Sequence, residues 1–272
     1  MAKLALLCIG MLFSVQALVP QAPRDVRSFF DDALSSMERA FDQNESTLED
    51  EYYLGRAVAA NILAVYKPYT GNPALTRYLN RICQAIVINS VQPAIFKNYS
   101  VIILDSPEFN ALSSPGGHIF LTRGLVEAAA SEDMLAAVIA HELAHIMLKH
   151  SADIIEGMRL NDEMAAMADR ASALAGNSEA ASRLLSFRNS VSAVVDMLVK
   201  NGYSQAQEFE ADREAAALLA ASGYNPQALV EMLRILQGVQ ASQMGGFNAT
   251  HPSPNERIAS VEGSIRQATA AI

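Results

Sequence analysis

Cysteine is nearly absent from this chain: 272 residues contain two, Cys8 and Cys83. Cys8 lies inside an N-terminal apolar run, so a chain that loses that run keeps one thiol and forms no internal disulfide. Cys83 sits among Leu79, Ile82, Ile86 and Val87 and reads as a small buried hydrophobe. Positive charge is in deficit: 20 Lys and Arg stand against 29 Asp and Glu, for a net charge of −9. An acidic surface repels phosphate backbones and argues against nucleic acid as a partner. Charged residues make up only 18% and apolar residues 51%, which excludes a disordered chain. After the N-terminus no apolar run reaches the roughly 20 residues that span a bilayer, so a soluble body is expected. No internal repeat is visible, and histidine occurs only five times.

The N-terminus carries a compartment signal. Met1-Ala2-Lys3 supplies positive charge, and Leu4 to Val15 is almost wholly apolar. Val15-Gln16-Ala17 then places modest side chains around a cleavage site. Residues 1–17 therefore read as a signal peptide for export, with an uncleaved anchor as the alternative.

Beyond it, Phe29, Phe30, Ala33, Leu34, Met37 and Phe41 fall at helical spacing. Ser46-Thr47-Leu48-Glu49 has the form of a capping box opening a second helix. Pro68, Gly71 and Pro73 break it, and a third helix is expected over roughly 74–90. Ser100 to Asp105 and His118 to Thr122 read as strands, with Pro115-Gly116-Gly117 as a turn between them. From Gly124 the pattern is helical: a helix opened by Ser131-Glu132-Asp133 should run to about His150, and another from about Ser204 to Ala221. Met158 to Leu185 is Ala-rich and reads as helical. The division expected is an N-terminal helical segment, 18–73, packed on a domain spanning 74–272. The fold class is α+β, predominantly α, with a small sheet.

His141-Glu142-Leu143-Ala144-His145 is an HExxH pattern. At about 100° per residue, positions four apart differ by only about 40°, so both imidazoles leave one helix face and can share a zinc ion. Glu142 is rotated by about 60° from His145 and lies within reach of a water on that ion, as a general base must. The flanks, Ala136 to Ile139 and Ile146 to Leu148, carry the helix without Pro or Gly.

A catalytic zinc needs a third protein ligand and an open position. Three candidates exist. His150 is five residues past His145, about 140° off the face of a continuous helix, and reads as a helix-end residue at the negative pole of the dipole. Glu208 and Asp212 are four apart on the later helix, so Glu208 can ligate while Asp212 accepts a hydrogen bond from a ligand imidazole. Glu210, rotated by about 200° from Glu208, should face elsewhere. His251 lies on a loop stiffened by Pro252 and Pro254 and reads as a site residue rather than a permanent ligand.

These residues resemble metallopeptidase family 48, the gluzincins that include HtpX-like and CAAX-prenyl-protease-like enzymes. The likeness runs through Asn110-Ala111, Pro115 to Leu125, the HELAH helix, Glu208 to Arg213, Gly223 to Pro226 and His251 to Arg257. It implies a zincin core with one Zn2+ per chain, held by His141, His145 and Glu208. The export signal and the late His-Pro…Arg stretch look like the exported BepA-like and LoiP-like branch. That branch implies a periplasmic or envelope location, possible association with the membrane, and unfolded or misassembled envelope proteins as substrates. Gly117, His118, Ile119 and Phe120 resemble the edge strand along which zincins pair an extended substrate.

The chemistry expected is zinc-assisted peptide hydrolysis with Glu142 as base and His251 or Arg257 supporting the oxyanion. His251 has a second reading, as a latch that occupies the water's position. A rival from another class is a zinc-containing, chaperone-like binding protein with latent or weak proteolysis.

Overall fold

A computed structural model describes residues 47–151, 195, 198, 202–238 and 254–270. The signal segment, the helix expected over 25–41, Ser46, the Ala-rich stretch 158–185 and His251 lie outside the described residues. The described residues form α1 (Leu48–Val65), α2 (Pro73–Ile88), β1 (Ser100–Leu104), β2 (Ala111–Ser114), β3 (His118–Thr122), α3 (Arg123–Ala128), α4 (Glu132–Met147), α5 (Gln205–Ala221), α6 (Gln227–Gly238) and α7 (Pro254–Ala270). No helix among them is long and apolar enough to cross a membrane.

The three strands form one mixed sheet in the order β1-β3-β2, with β1 parallel and β2 antiparallel to β3. Strand periodicity splits its side chains between two cores. Ile119 and Leu121 face the larger core with Val101 and Ile103, against α2, α4, α5 and α6. Phe120 and Leu112 face the other way, against Leu54, Val58 and Ile62 of α1. Phe120 is fully buried, and truncating it to Ala would cost about 3–5 kcal/mol.

The tight turn before β3 needs glycine twice over. Gly116 and Gly117 have φ of 73° and 93°, which L side chains rarely adopt. Across from them, Gly55 of α1 lets the helix touch the turn backbone: a Cβ there would stand 1.7 Å from the Pro115 carbonyl oxygen.

The sheet order corrects one expectation. β3, with His118, Ile119 and Phe120, is the central strand, paired on both sides, so it offers no edge to a substrate. β2 was not expected from sequence: its four residues are all buried, and ALSS has no strand alternation. The β1 edge is closed as well. Asn80 of α2 accepts from Val101 N and donates to Val101 O, Tyr69 N donates to Ile103 O, and Asp105 N donates to Lys67 O.

A second correction concerns α4. It is capped as expected, with the Ser131 side chain accepting from Met134 N, but it stops at Met147 rather than reaching His150. Leu148 N bonds Ala144 O, Lys149 N bonds Ile146 O, and Lys149 takes a φ of 56°. A left-handed residue after the last turn is a common helix stop, here made by Lys rather than Gly. It turns the chain back on the helix, which the uninterrupted apolar pattern gave no reason to expect.

Candidate active site

The site is built from two buried helices. Ala136, Ala137, Ile139, Ala140, Leu143 and Ala144 bury α4 in the core, and this fixes which way His141, Glu142 and His145 point. α5 starts at a complete capping box, with Ser204 accepting from Gln207 N and the Gln207 side chain bonding Ser204 N. Glu208 and Asp212 leave α5 on the face turned to α4 and are buried, while Glu210 is half-exposed.

His141, His145 and Glu208 converge, with one potential ligand atom from each lying within 4.8 Å of the others. His141 Nε2 and His145 Nε2 are 3.1 Å apart. Glu208 Oε2 is 3.5 Å from His141 Nε2, and Oε1 is 3.4 Å from His145 Nε2. Tetrahedral zinc, with bonds of about 2.0–2.2 Å to nitrogen or oxygen, separates its donors by about 3.3–3.6 Å. The spacing and the donor types, two imidazoles and one carboxylate, fit zinc. Glu142 is fully buried on the same helix, between the two ligands in sequence.

Asp212 supports His141, whose Nδ1 lies 3.0 Å from Oδ1 of Asp212. A proton on Nδ1 leaves the Nε2 lone pair for the metal. Burial and Arg257 oppose a charged His141 ring, yet its bonds to Asp212 and Glu208 carry its pKa up to about 9. Burial pushes the Asp212 carboxyl up, but Arg257 and His141 beside it hold it below the usual range.

Arg257 of α7 is 2% exposed and lies behind the ligands. Its Nε and Nη2 bond Asp212, and its Nη1 is 2.8 Å from Glu208 Oε2. These carboxylates engage all three guanidinium nitrogens. The role this supports is to neutralise and orient the carboxylates, in place of the oxyanion role expected from sequence.

Two residues flank His145, of which the sequence pointed to His150 alone, and as a helix-end residue. The Tyr203 ring stacks on His145, with centroids 3.9 Å apart and planes 13° off parallel. Its buried hydroxyl is 3.1 Å from Ser151 Oγ. Burial and the charges of Glu142 and Glu208 hold that phenol protonated, its pKa raised despite the nearby Ser151 and Ser113 hydroxyls. Tyr203 precedes the α5 cap directly, and that position was its only signal. His150, expected to point off the helix, is buried with its Nδ1 2.8 Å from His145 Nδ1.

A helical domain around a small mixed sheet, with two histidines of an HExxH helix and a glutamate of a later helix at one point, defines a zincin-type metallopeptidase fold. The sequence pattern of "Peptidase family M48" matches residues 73–265, and the chain belongs to that family. His141, His145 and Glu208 form the zinc site typical of it. The chain is 26% identical over 204 residues to the "Beta-barrel assembly-enhancing protease" of Escherichia coli (strain K12), covering 74% of this chain and 41% of that protein. It is 29% identical over 196 residues to the "Mitochondrial metalloendopeptidase OMA1" of Schizosaccharomyces pombe, covering 71% of this chain and 54% of that one. The chain thus spans about half the length of these relatives, or less.

Proposed function

We propose that this chain is a zinc endopeptidase that hydrolyses peptide bonds in unfolded or misassembled proteins of the cell envelope. The observation that carries the reading is Glu142, buried on the helix that supplies two of three converging zinc ligands. A zinc ion held there supplies Lewis-acid chemistry, acidifying a water and polarising the scissile carbonyl. Glu142 takes the water's proton and passes it to the leaving amine. Asp212 and Arg257 keep His141 and Glu208 oriented.

With β3 central and the β1 edge closed, the substrate belongs along β2, whose buried residues must first be uncovered. Thr122 N donates to Asn110 O, and Asn110 N donates to Thr122 Oγ1, so the backbone groups of Asn110 face β3. The alternation of an antiparallel ladder then turns the Ala111 and Ser113 backbone groups away from β3. Those groups are the ones an extended substrate would meet.

The envelope assignment is supported by the N-terminal apolar run and by the name of the Escherichia coli relative. His251 keeps two proposed roles, a latch on the metal or an oxyanion donor. His251→Ala should raise basal cleavage in the first case and lower turnover in the second.

A second reading has one observation behind it. His141, Glu142, His145 and Glu208 are all buried, so a polypeptide reaches them only after neighbouring chain moves. A latent protease that mainly binds its clients would show such a site. The deciding experiment is cleavage of unfolded envelope proteins by wild type and Glu142→Gln, with and without a chelator. Chelator-sensitive cleavage absent from Glu142→Gln supports the peptidase. Binding of the same proteins without cleavage by zinc-loaded wild type supports the latent reading.

A further inference from the structure

The two histidine ligands are backed by different chemistry. His141 leans on a carboxylate, Asp212, itself clamped by Arg257. His145 leans on a second imidazole. Its Nε2 faces His141 Nε2 and Glu208, at 3.1 and 3.4 Å, so Nδ1 is its outer nitrogen. That Nδ1 is 2.8 Å from His150 Nδ1. Two ring nitrogens so close share one proton between them. With the Nε2 lone pair of His145 directed at the metal, the proton belongs on His145 Nδ1, and His150 Nδ1 accepts it. A neutral His150 then carries its own proton on Nε2, and that nitrogen is 3.4 Å from Oε2 of Glu210. The row His145, His150, Glu210 thus runs through one short nitrogen–nitrogen hydrogen bond and ends at a longer charge contact with the Glu210 carboxylate.

We propose that His150 is a positioning residue that fixes the tautomer and ring orientation of His145, and that Glu210 anchors it from the protein surface. This rests on the reading of His141, His145 and Glu208 as zinc ligands. Three features build the arrangement. The left-handed Lys149 stops α4 and folds His150 back over the last turn. His150 is 1% exposed, which makes its ring costly to bury without partners. The Glu210 side chain is 50% exposed, so its carboxylate stays solvated and the row ends at water. Metal-bound histidines generally pass their second N–H to a carboxylate, carbonyl or water, and losing that partner weakens the metal. A neutral imidazole in that place leaves His145 a less basic ligand than His141.

The test uses the full chain and reads zinc affinity by chelator competition, together with the visible spectrum of the cobalt-loaded protein. Neither depends on cleavage. His150→Leu should weaken zinc about ten- to a hundredfold and shift the cobalt bands. His150→Asn places an acceptor near the lost Nδ1 and should recover most of the affinity. Glu210→Ala, at a half-exposed site that leaves the core intact, should weaken zinc by a smaller factor, and that loss should vanish in the His150→Leu background. Wild-type affinity and cobalt spectrum in His150→Leu would overturn the proposal, as would His150→Asn behaving no better than Leu. Should His150→Leu fail to fold, Glu210→Ala decides: a wild-type zinc affinity in that variant overturns the role of Glu210 and with it the row. Glu208→Ala serves as the control, because its retention of zinc would sink the ligand assignment beneath this proposal rather than the proposal alone.

Discussion

Arg257 grips Asp212 through two bonds, Nε to Oδ2 at 2.8 Å and Nη2 to Oδ1 at 2.6 Å. The same guanidinium stands 2.8 Å from Glu208 through Nη1. A single cation from the last helix thus offsets two buried carboxylates on α5, one that ligates and one that orients a ligand. Removing it strands both. Arg257→Ala should lower stability by about 3–5 kcal/mol, read by urea denaturation. Arg257→Lys keeps the charge but loses the two-point grip and should fall between wild type and Ala. Equal stability of all three would mean that the buried charges are balanced by another group.

Glu142→Gln should abolish cleavage while zinc content stays at one per chain. The amide preserves shape but cannot take up the water's proton. Normal turnover by a zinc-loaded Glu142→Gln protein would remove Glu142 from the mechanism.

Glu208, Glu210 and Asp212 of α5 should separate cleanly in a metal assay. Glu208→Ala loses a ligand and most of the zinc. Asp212→Ala loses the partner of His141 Nδ1 and should weaken zinc about ten- to a hundredfold. The half-exposed Glu210 should give the smallest effect of the three. Zinc loss on Glu210→Ala with retention on Glu208→Ala would invert the helix face.

Tyr203 contributes its ring and its hydroxyl separately. Tyr203→Phe keeps the stack on His145 and should cost about 1 kcal/mol for the lost hydroxyl bond. Tyr203→Leu also removes the flat surface against the imidazole and should broaden the cobalt spectrum as well as lower stability. Identical spectra for Phe and Leu would show that the stack does not restrain His145.

The packing of α1 on the turn before β3 is open to one substitution. Gly55→Val would drive a side chain into the Pro115 carbonyl and should lower the thermal midpoint by several degrees. An unchanged midpoint would mean that α1 can lift from the turn without cost.

Much of this protein is determined by sequence alone, because its rules are local. The spacing of His141, Glu142 and His145 works on any α-helix, and so does the pairing of Glu208 with Asp212. Ser131 and Ser204 announce their helices through caps that involve only neighbouring residues. The β3 strand and its Pro115-Gly116-Gly117 turn were legible for the same reason. What tertiary structure decided is everything that depends on which surfaces meet. The place of β3 in the middle of the sheet follows from strand order, which no single strand encodes. β2 is invisible in sequence because Ala111 to Ser114 is buried throughout, and burial erases the alternation that marks a strand. Arg257 reaches two carboxylates far back along the chain only because α7 packs on α5, and a lone charge in a helical pattern does not name its partner. His150 was turned from a helix-end residue into a neighbour of His145 by one left-handed residue, Lys149, whose conformation local propensity opposes and the surrounding contacts hold.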